Sequence, residues 1–498
     1  MTLGLAVGAA APSEPYLQIL TLESERSLGN GVLAGWINSG DEPVAVRAAL
    51  AIGRTKQAGG EPLLAAHLND SRDAVRAMSL YGVGLLATGG RGRAAIAGLD
   101  DRSGAVRVAA LDAIARYAAA HRLGASEAAA QAAVERALTR DREPIVRARA
   151  ATALVEFRHG PAVPEAAAAL SAAFGGDPDA DVRRHAMWAI YRGFAVKVSR
   201  RLVESALRDR DEVVRIEAVR AMSRYKDRAL VPFVRALLGD PSWRVAEQAA
   251  ETIRVLQGEP PHDHWTAIPS FVHLPKREPD PLAGLPAMRS AFSRKASAPL
   301  PAQAIFKPLL DPSTASQMTS PAPGLHPRVR VVTTKGNVYV VLFPEWAPLT
   351  VANFLNLAGR GYYDRNRWFR IVPDFVVQTG DPNGDGNGDA GYSVGAEESP
   401  LEQRSYVISM GLNYDAKTAT PIRDSAGTQY YVTLSPQLHL DRDFTVFGEV
   451  TGGFDVFARL IESDRVVRVE RIADARIYRE NIEARAKSAF SRRSRTRR

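Results

Sequence analysis

The 498-residue chain contains no cysteine. Disulfides, thiolate nucleophiles and cysteine-ligated metals are therefore excluded, and no compartment is selected, since such a chain tolerates oxidising and reducing surroundings alike. No run approaches the roughly 18 consecutive apolar residues that span a bilayer, so no transmembrane segment is expected. Lys and Arg are missing before Arg26. The apolar stretch Leu3 to Ala11 has the length of a signal-peptide core, and Ala9-Ala10-Ala11 would suit a cleavage site, but the basic leader is absent. Two readings of residues 1–16 stay open: a plain flexible N-terminus, or the remnant of an export signal. The second is favoured and implies a periplasmic or otherwise extracytoplasmic location. With 46% hydrophobic and 24% charged residues, the chain has the composition of a soluble globular protein of two to four domains.

The formal net charge of +9 is unevenly spread. Six positive residues, Lys487, Arg492, Arg493, Arg495, Arg497 and Arg498, fall in the last twelve. A basic tail over 479–498 is expected to be disordered and solvating, with weak contacts to nucleic acid or an anionic surface as the alternative. Without it the chain is nearly neutral, which argues against a dedicated nucleic-acid protein.

Residues 17–256 are rich in Ala, Leu, Val and Arg and carry an internal echo. An aspartate is followed six positions later by an arginine at Asp41/Arg47, Asp70/Arg76, Asp101/Arg107, Asp141/Arg147, Asp177/Arg183 and Asp209/Arg215. A degenerate seventh copy starts at Asp240-Pro241-Ser242-Trp243-Arg244. Successive arginines stand 29, 31, 40, 36 and 32 residues apart. Self-similarity at such periods on a helical background indicates an α-solenoid. Each aspartate is expected to N-cap the second helix of its unit, and each arginine to meet the aspartate of a neighbouring unit in a ladder along the inside of the superhelix. The pattern resembles HEAT repeats of the short Ala-rich bacterial type. That resemblance implies a concave face that binds a protein partner and has no pocket chemistry of its own.

Residues 257–327 hold 14 of the 31 prolines. Helix and strand are both penalised at that density, and an extended linker with polyproline II character is expected. His262-Asp263-His264 within it reads as solvated polar residues rather than a metal site.

The segment from Trp368 to Asp381, WFRIVPDFVVQTGD, sets Arg370 among apolar residues and places Gln378 eight positions on. On one continuous strand an even step puts both on one face, with Val372 and Val376 likewise paired, although Pro373-Asp374 is expected to bend it. A cation and an amide over an apolar surface suit a peptide bond flanked by hydrophobic groups; a barrel strand with one satisfied arginine is the plain alternative. The segment resembles the active-site strand of the cyclophilin family of peptidyl-prolyl isomerases. Ala347 to Phe354 is similar to that family's first helix, Gly361-Tyr362-Tyr363-Asp364 to the turn after it, and Gly427-Thr428-Gln429-Tyr430-Tyr431 to its Gly-Ser-Gln-Phe-Phe. His439-Leu440-Asp441 and Phe444 to Val450 complete the series in order.

The resemblance implies a mainly-β closed barrel with two capping helices, at about 347–359 and 453–462, within a domain at 328–478. The fold class expected for the chain is multidomain: an all-α HEAT solenoid followed by this barrel. It further implies that Arg370 and Gln378 are catalytic, and that Phe375, Val376, Gln429, Tyr431, His439, Leu440 and Phe444 bind an X-Pro segment of a protein or peptide, with neither metal nor cofactor. Tyr431 and Val376 depart from the family's phenylalanine and methionine, Gly411-Leu412 from its usual strand, and residues 413–425 form an unusual insertion beside the expected groove. The run from Asp381 to Asp389 mimics the start of a calcium loop but has Tyr392 where a bidentate Glu is needed. A folding-assisting isomerase with a solenoid scaffold is the leading reading. A barrel that clasps proline peptides without useful turnover is the rival, and a linker that occupies the pocket is a third.

Overall fold

The computed structural model describes residues 14–88, 90–259, 325–372, 374–415, 417–418 and 420–476. Residues 1–13, residues 260–324 with His262-Asp263-His264, and the basic tail lie outside the described residues; of the expected N-terminal segment and linker, residues 14–16 and 257 are helical and 325–327 begin a strand. The described chain forms two compact units, one all-helical and one strand-rich.

In the helical unit, the seven aspartates are followed by the helices Glu42–Arg54, Asp73–Leu86, Gly104–Ala119, Pro144–Ala153, Ala180–Ala189, Glu212–Ser223 and Trp243–Gln257, each packed on the next. Small residues permit the close approach. A Cβ on Gly53 would lie 2.7 Å from Gly82 Cα, and one on Gly84 2.7 Å from Ala113 Cα.

Only Asp41 is itself an N-cap, accepting from Val44 N at 3.2 Å. The other six aspartates sit two residues earlier than expected and accept the N–H of the capping residue: Arg72, Ser103, Glu143, Asp179, Asp211 and Ser242. The turn made this way leaves the second carboxylate oxygen for another partner. That partner is the arginine of the preceding repeat. Arg76 grips Asp101 at 2.9 and 3.0 Å, and Arg107 grips Asp141 at 2.6 and 2.9 Å. Arg147 does the same to Asp177 at 2.6 and 2.9 Å, and Arg215 to Asp240 at 2.8 and 2.8 Å.

Each of these arginines also donates to the backbone carbonyl of its own repeat's aspartate, six residues back. The spacing of six follows from that double duty: one fork holds the turn of its own repeat and the carboxylate of the next. The ladder is imperfect at two places. Arg47 pairs instead with the buried Glu23 at 2.5 Å. Arg183 reaches Asp209 only at 3.9 Å, while its neighbour Arg184 grips Asp211 at 3.0 and 2.6 Å.

The strand-rich unit is an eight-stranded antiparallel sheet. Its strands are β1 Leu325–Thr333, β2 Gly336–Leu342, β3 Arg370–Val372, β4 Val376–Thr379, β5 Val407–Met410, β6 Tyr430–Thr433, β7 Val446–Gly452 and β8 Val466–Arg476, in the order β3-β4-β6-β5-β7-β2-β1-β8. The residues just before β3 return to the start of β8: Arg365 N donates to Val466 O at 2.7 Å, Val466 N to Asn366 O at 2.8 Å, and Trp368 N to Asp464 O at 3.0 Å. The curled sheet is thereby joined end to end. One long helix, Pro348–Gly359, packs on it. Its first N–H groups are capped from afar by the buried Glu397, which accepts from Leu349 N at 3.0 Å and Thr350 N at 2.8 Å. The second expected helix is shortened to one turn, Phe454–Phe457, because the chain after it must turn back to start β8. Phe354, Tyr363, Tyr430 and Phe447 meet in the core with ring centroids 5.1 to 5.4 Å apart.

Candidate active site

Arg370 and Gln378 do not lie on one continuous strand. The chain reverses about Asp374, and β3 and β4 form a tight hairpin in which Arg370 pairs with Gln378 and Val372 with Val376. Directly opposed residues of an antiparallel pair share a face, so folding the segment about residue 374 keeps together what an even spacing would have kept together. The turn is held from the side. Asp374, at φ 55°, offers its carbonyl to Ser435 Oγ at 2.5 Å and Gln437 Nε2 at 3.1 Å. Leu434 N donates to Phe375 O at 2.8 Å.

A chain of polar contacts orients the two side chains. Gln429 donates to the carbonyls of Gly386 and Gly388 at 3.0 and 3.1 Å, which turns its oxygen towards Gln378 Nε2, 3.0 Å away. The Gln378 oxygen therefore faces Arg370 Nη1 at 3.3 Å. The loop that supplies those two carbonyls is wound around the fully buried Asp381, whose carboxylate accepts from Asn383 N, Asp385 N and Gly386 N at 2.7, 2.9 and 2.5 Å. Burial outweighs these bonds and pushes the Asp381 carboxyl up to about 6. The calcium-like sequence thus folds as a turn organised by one carboxylate. Gly388 has no substitute, since a Cβ there would fall 1.9 Å from Asp381 Oδ1.

Below the arginine lies an apolar cluster of Val372, Phe375, Val376, Tyr431, Leu440 and Phe444, all buried. The Arg370 guanidinium stands 5.5 Å from the Phe375 ring centre. His439 lies nearly parallel to Phe375 at 6.0 Å, and Tyr431 meets Phe444 edge-on at 5.8 Å. Burial raises the Tyr431 phenol well above its ordinary pKa, so it stays neutral. All nine residues singled out from the sequence, Arg370, Gln378, Phe375, Val376, Gln429, Tyr431, His439, Leu440 and Phe444, meet at this one place.

Three residues that sequence reasoning missed hold the rim. Gln403 links β5 to the segment before β7: its N–H donates to Asp441 Oδ1 at 2.7 Å, and its oxygen accepts from Ser409 Oγ at 3.0 Å. Gln437 donates its N–H to Gln403 O at 2.7 Å, and Ser435 completes the clamp on Asp374. Nothing in their local sequence signals this, because their partners lie up to 63 positions away.

A curled antiparallel sheet that carries an arginine–glutamine pair above a buried apolar cluster, preceded in the chain by a helical repeat array, defines a two-part protein: a helical-repeat unit and a strand-rich unit. The model of the cyclophilin type peptidyl-prolyl cis-trans isomerase family matches residues 328–480. HEAT repeats match residues 92–190 and 199–281. Peptidyl-prolyl cis-trans isomerase B of Bacillus subtilis is 38% identical over 26% of this chain and 87% of its own length. The isomerase CYP18-2 of Arabidopsis thaliana is 35% identical over 30% of this chain and 92% of its own. A longer relative, the isomerase-like protein 2 of Rhizopus delemar, is 37% identical and is matched over only 26% of its length. The chain belongs to the cyclophilin family and carries a cyclophilin-type peptidyl-prolyl cis-trans isomerase domain behind HEAT repeats. Its relatives come from a bacterium, a plant and a fungus, so the bacterial character expected from the repeat type is not supported. Among the described residues no helix is long and apolar enough to cross a membrane.

Proposed function

We propose that Arg370 and Gln378 are the catalytic pair of this isomerase, that the apolar cluster receives the proline ring, and that the domain assists the folding of a client held by the HEAT solenoid. The observation that carries the assignment is the β3–β4 hairpin, which sets Arg370 opposite Gln378 and over Phe375. Isomerisation of an X–Pro bond needs no nucleophile, metal or proton transfer. Its barrier of roughly 18–20 kcal/mol is the amide resonance lost on twisting. In the twisted state the proline nitrogen becomes pyramidal and gains a lone pair. A fixed guanidinium donating to that nitrogen stabilises the twisted state over both planar ones. Gln378 keeps one N–H beyond its bond to Gln429 and holds the substrate carbonyl; Phe375, Val376, Tyr431, Leu440 and Phe444 exclude water around the ring. Gln429 and His439 complete the wall. The solenoid raises the local concentration of client X–Pro bonds, which compensates for weak affinity at the isomerase site.

The test is isomerisation of a short Ala-Pro peptide, measured by NMR exchange on the full chain and on Arg370→Ala. Loss of turnover in the variant with the fold intact is the expected result. Equal turnover in both would remove Arg370 from the mechanism. Peptide binding without turnover in the wild type would make the barrel a proline-peptide clasp.

A further inference from the structure

Asn413, Asp415, Lys417, Thr418, Thr420, Ile422 and Arg423 of the insertion at 413–425 are exposed, yet the segment is anchored to the rest of the domain. It folds as a small hairpin in which Tyr414 bridges to Pro421, Asp415 N donates to Thr420 O at 2.9 Å, and Ile422 N to Asn413 O at 2.8 Å. Its base is bolted down. Arg423 donates to Glu398 Oε1 and to Asp443 Oδ1, each at 3.0 Å, Asp424 accepts from Ala396 N at 2.7 Å, and Asn413 N donates to Ser425 Oγ at 2.8 Å. Asp443 immediately precedes Phe444, so the bolt ends on the wall of the pocket itself.

Leu412, just before the hairpin, and Tyr414, within it, are partly buried against the cluster of Val372, Phe375, Val376, Tyr431, Leu440 and Phe444. The Tyr414 hydroxyl oxygen is fully buried, which sends the ring tip inward rather than to water. Burial raises the phenol pKa, with the positive charge of Arg370 opposing and the negative charge of Asp443 adding; the group is neutral and stands within electrostatic reach of the arginine.

We infer that Tyr414 is a specificity-determining residue, a fourth wall that narrows the proline pocket on its arginine side and disfavours peptides with a large apolar residue next to the proline. The inference rests on the assignment of the cluster as the proline pocket. A side chain of about the size of phenylalanine on the substrate would compete with the Tyr414 ring for the same surface, whereas alanine would not. Discrimination of this steric kind amounts to about tenfold or more for a single methylene. The Tyr414 hydroxyl adds little to it, because the obstruction is the ring.

The experiment measures kcat/KM and Kd for two otherwise identical peptides, Ala-Pro and Phe-Pro, on full-length wild type, Tyr414→Ala, Tyr414→Phe and Arg423→Ala. Tyr414→Ala is expected to raise the Phe-Pro to Ala-Pro ratio about tenfold. Tyr414→Phe should keep the wild-type ratio, and Arg423→Ala, which frees the hairpin base, should fall between. An unchanged or lower ratio in Tyr414→Ala overturns the inference, as does a Tyr414→Phe variant that behaves like Tyr414→Ala. If Tyr414→Ala fails to fold, the Arg423→Ala ratio decides alone. The Kd values separate a catalytic role of Arg370 from a steric role of Tyr414. Absence of turnover in every sample with the ratio of Kd values still shifted by Tyr414→Ala would refute the catalytic assignment and keep this one.

Discussion

In the helical unit, the carboxylates of Asp101, Asp141, Asp177 and Asp240 are gripped by guanidinium forks from the preceding repeat, whereas in the barrel the buried Asp381 is held by backbone N–H groups of its own loop. The first arrangement is periodic, made between units, and repeated with one geometry. The second occurs once, is made within ten residues, and serves to place two carbonyls for Gln429. The electrostatic consequences run in opposite directions. Arg76 holds the Asp101 carboxyl below the ordinary carboxylate range, and at Asp177 the upward push of burial is outweighed by Arg147. At Asp381 burial wins. A fixed cation offsets desolvation of an anion; three amide dipoles do so only in part. A repeat array thus draws stability from each interface, while the barrel spends buried polar groups on positioning.

The comparison predicts effects of different kind and size. The largest is expected in the ladder. Asp177→Ala would leave Arg147 half-buried without its carboxylate and cost on the order of 3 kcal/mol in the helical unit, measured by urea unfolding. Isomerisation of a short peptide should be unchanged. Arg370→Ala should do the reverse, lowering kcat/KM on the order of 10²-fold while hydrogen exchange in peptides from the helical unit stays as in wild type. A variant that moved both readouts together would mean that the two units are not energetically separate. Gly388→Ala should come next: it forces the Asp381 loop to rebuild, releases Gln429, and reduces turnover several-fold, with peptide affinity less affected.

The smallest effect is the pH dependence, and its sign distinguishes the units. Asp101 and Asp177 have folded pKa values below the ordinary 3.8, so their contribution is fully present above that value and is lost as pH falls through the folded pKa. Asp381 has a folded pKa raised to about 6, so the fold binds its proton more tightly than the unfolded chain does. Its contribution is full below 3.8 and is lost as pH rises through about 6. Hydrogen exchange read separately on peptides from each unit should show the helical unit weakening towards acid. Over pH 4 to 6 the Asp381 loop should weaken in the other direction, and Asp381→Asn should flatten that slope.

Much of this was legible in the chain itself, for reasons that differ between the units. The six-residue interval from aspartate to arginine is local, and its recurrence betrays the array, because a helix and a turn of fixed geometry demand the same interval each time. What the interval could not reveal is that six of the seven aspartates stand two residues before the cap, or that Arg184 takes over from Arg183 and Arg47 turns to Glu23. Those outcomes depend on how one repeat is rotated against the next. In the barrel, the even spacing of Arg370 and Gln378 announced a shared face, and the hairpin about residue 374 delivered it by a different route from a straight strand. The ordered motifs around them brought Gln429, Tyr431, His439, Leu440 and Phe444 to the same place. The clamp of Gln403, Ser435 and Gln437 and the inward turn of Tyr414 had no local signature.

Composition and short-range spacing, then, determined the helical array and the two-part organisation, since each follows from periods and turns encoded within a few tens of residues; the residues set above the apolar cluster were legible through the resemblance of ordered motifs to the cyclophilin family. Only the tertiary structure decided which arginine meets which aspartate, where the second capping helix ends, and that Tyr414 packs against the apolar cluster. Each of those rests on contacts between segments far apart in the chain, selected by packing and by the need to satisfy buried polar groups.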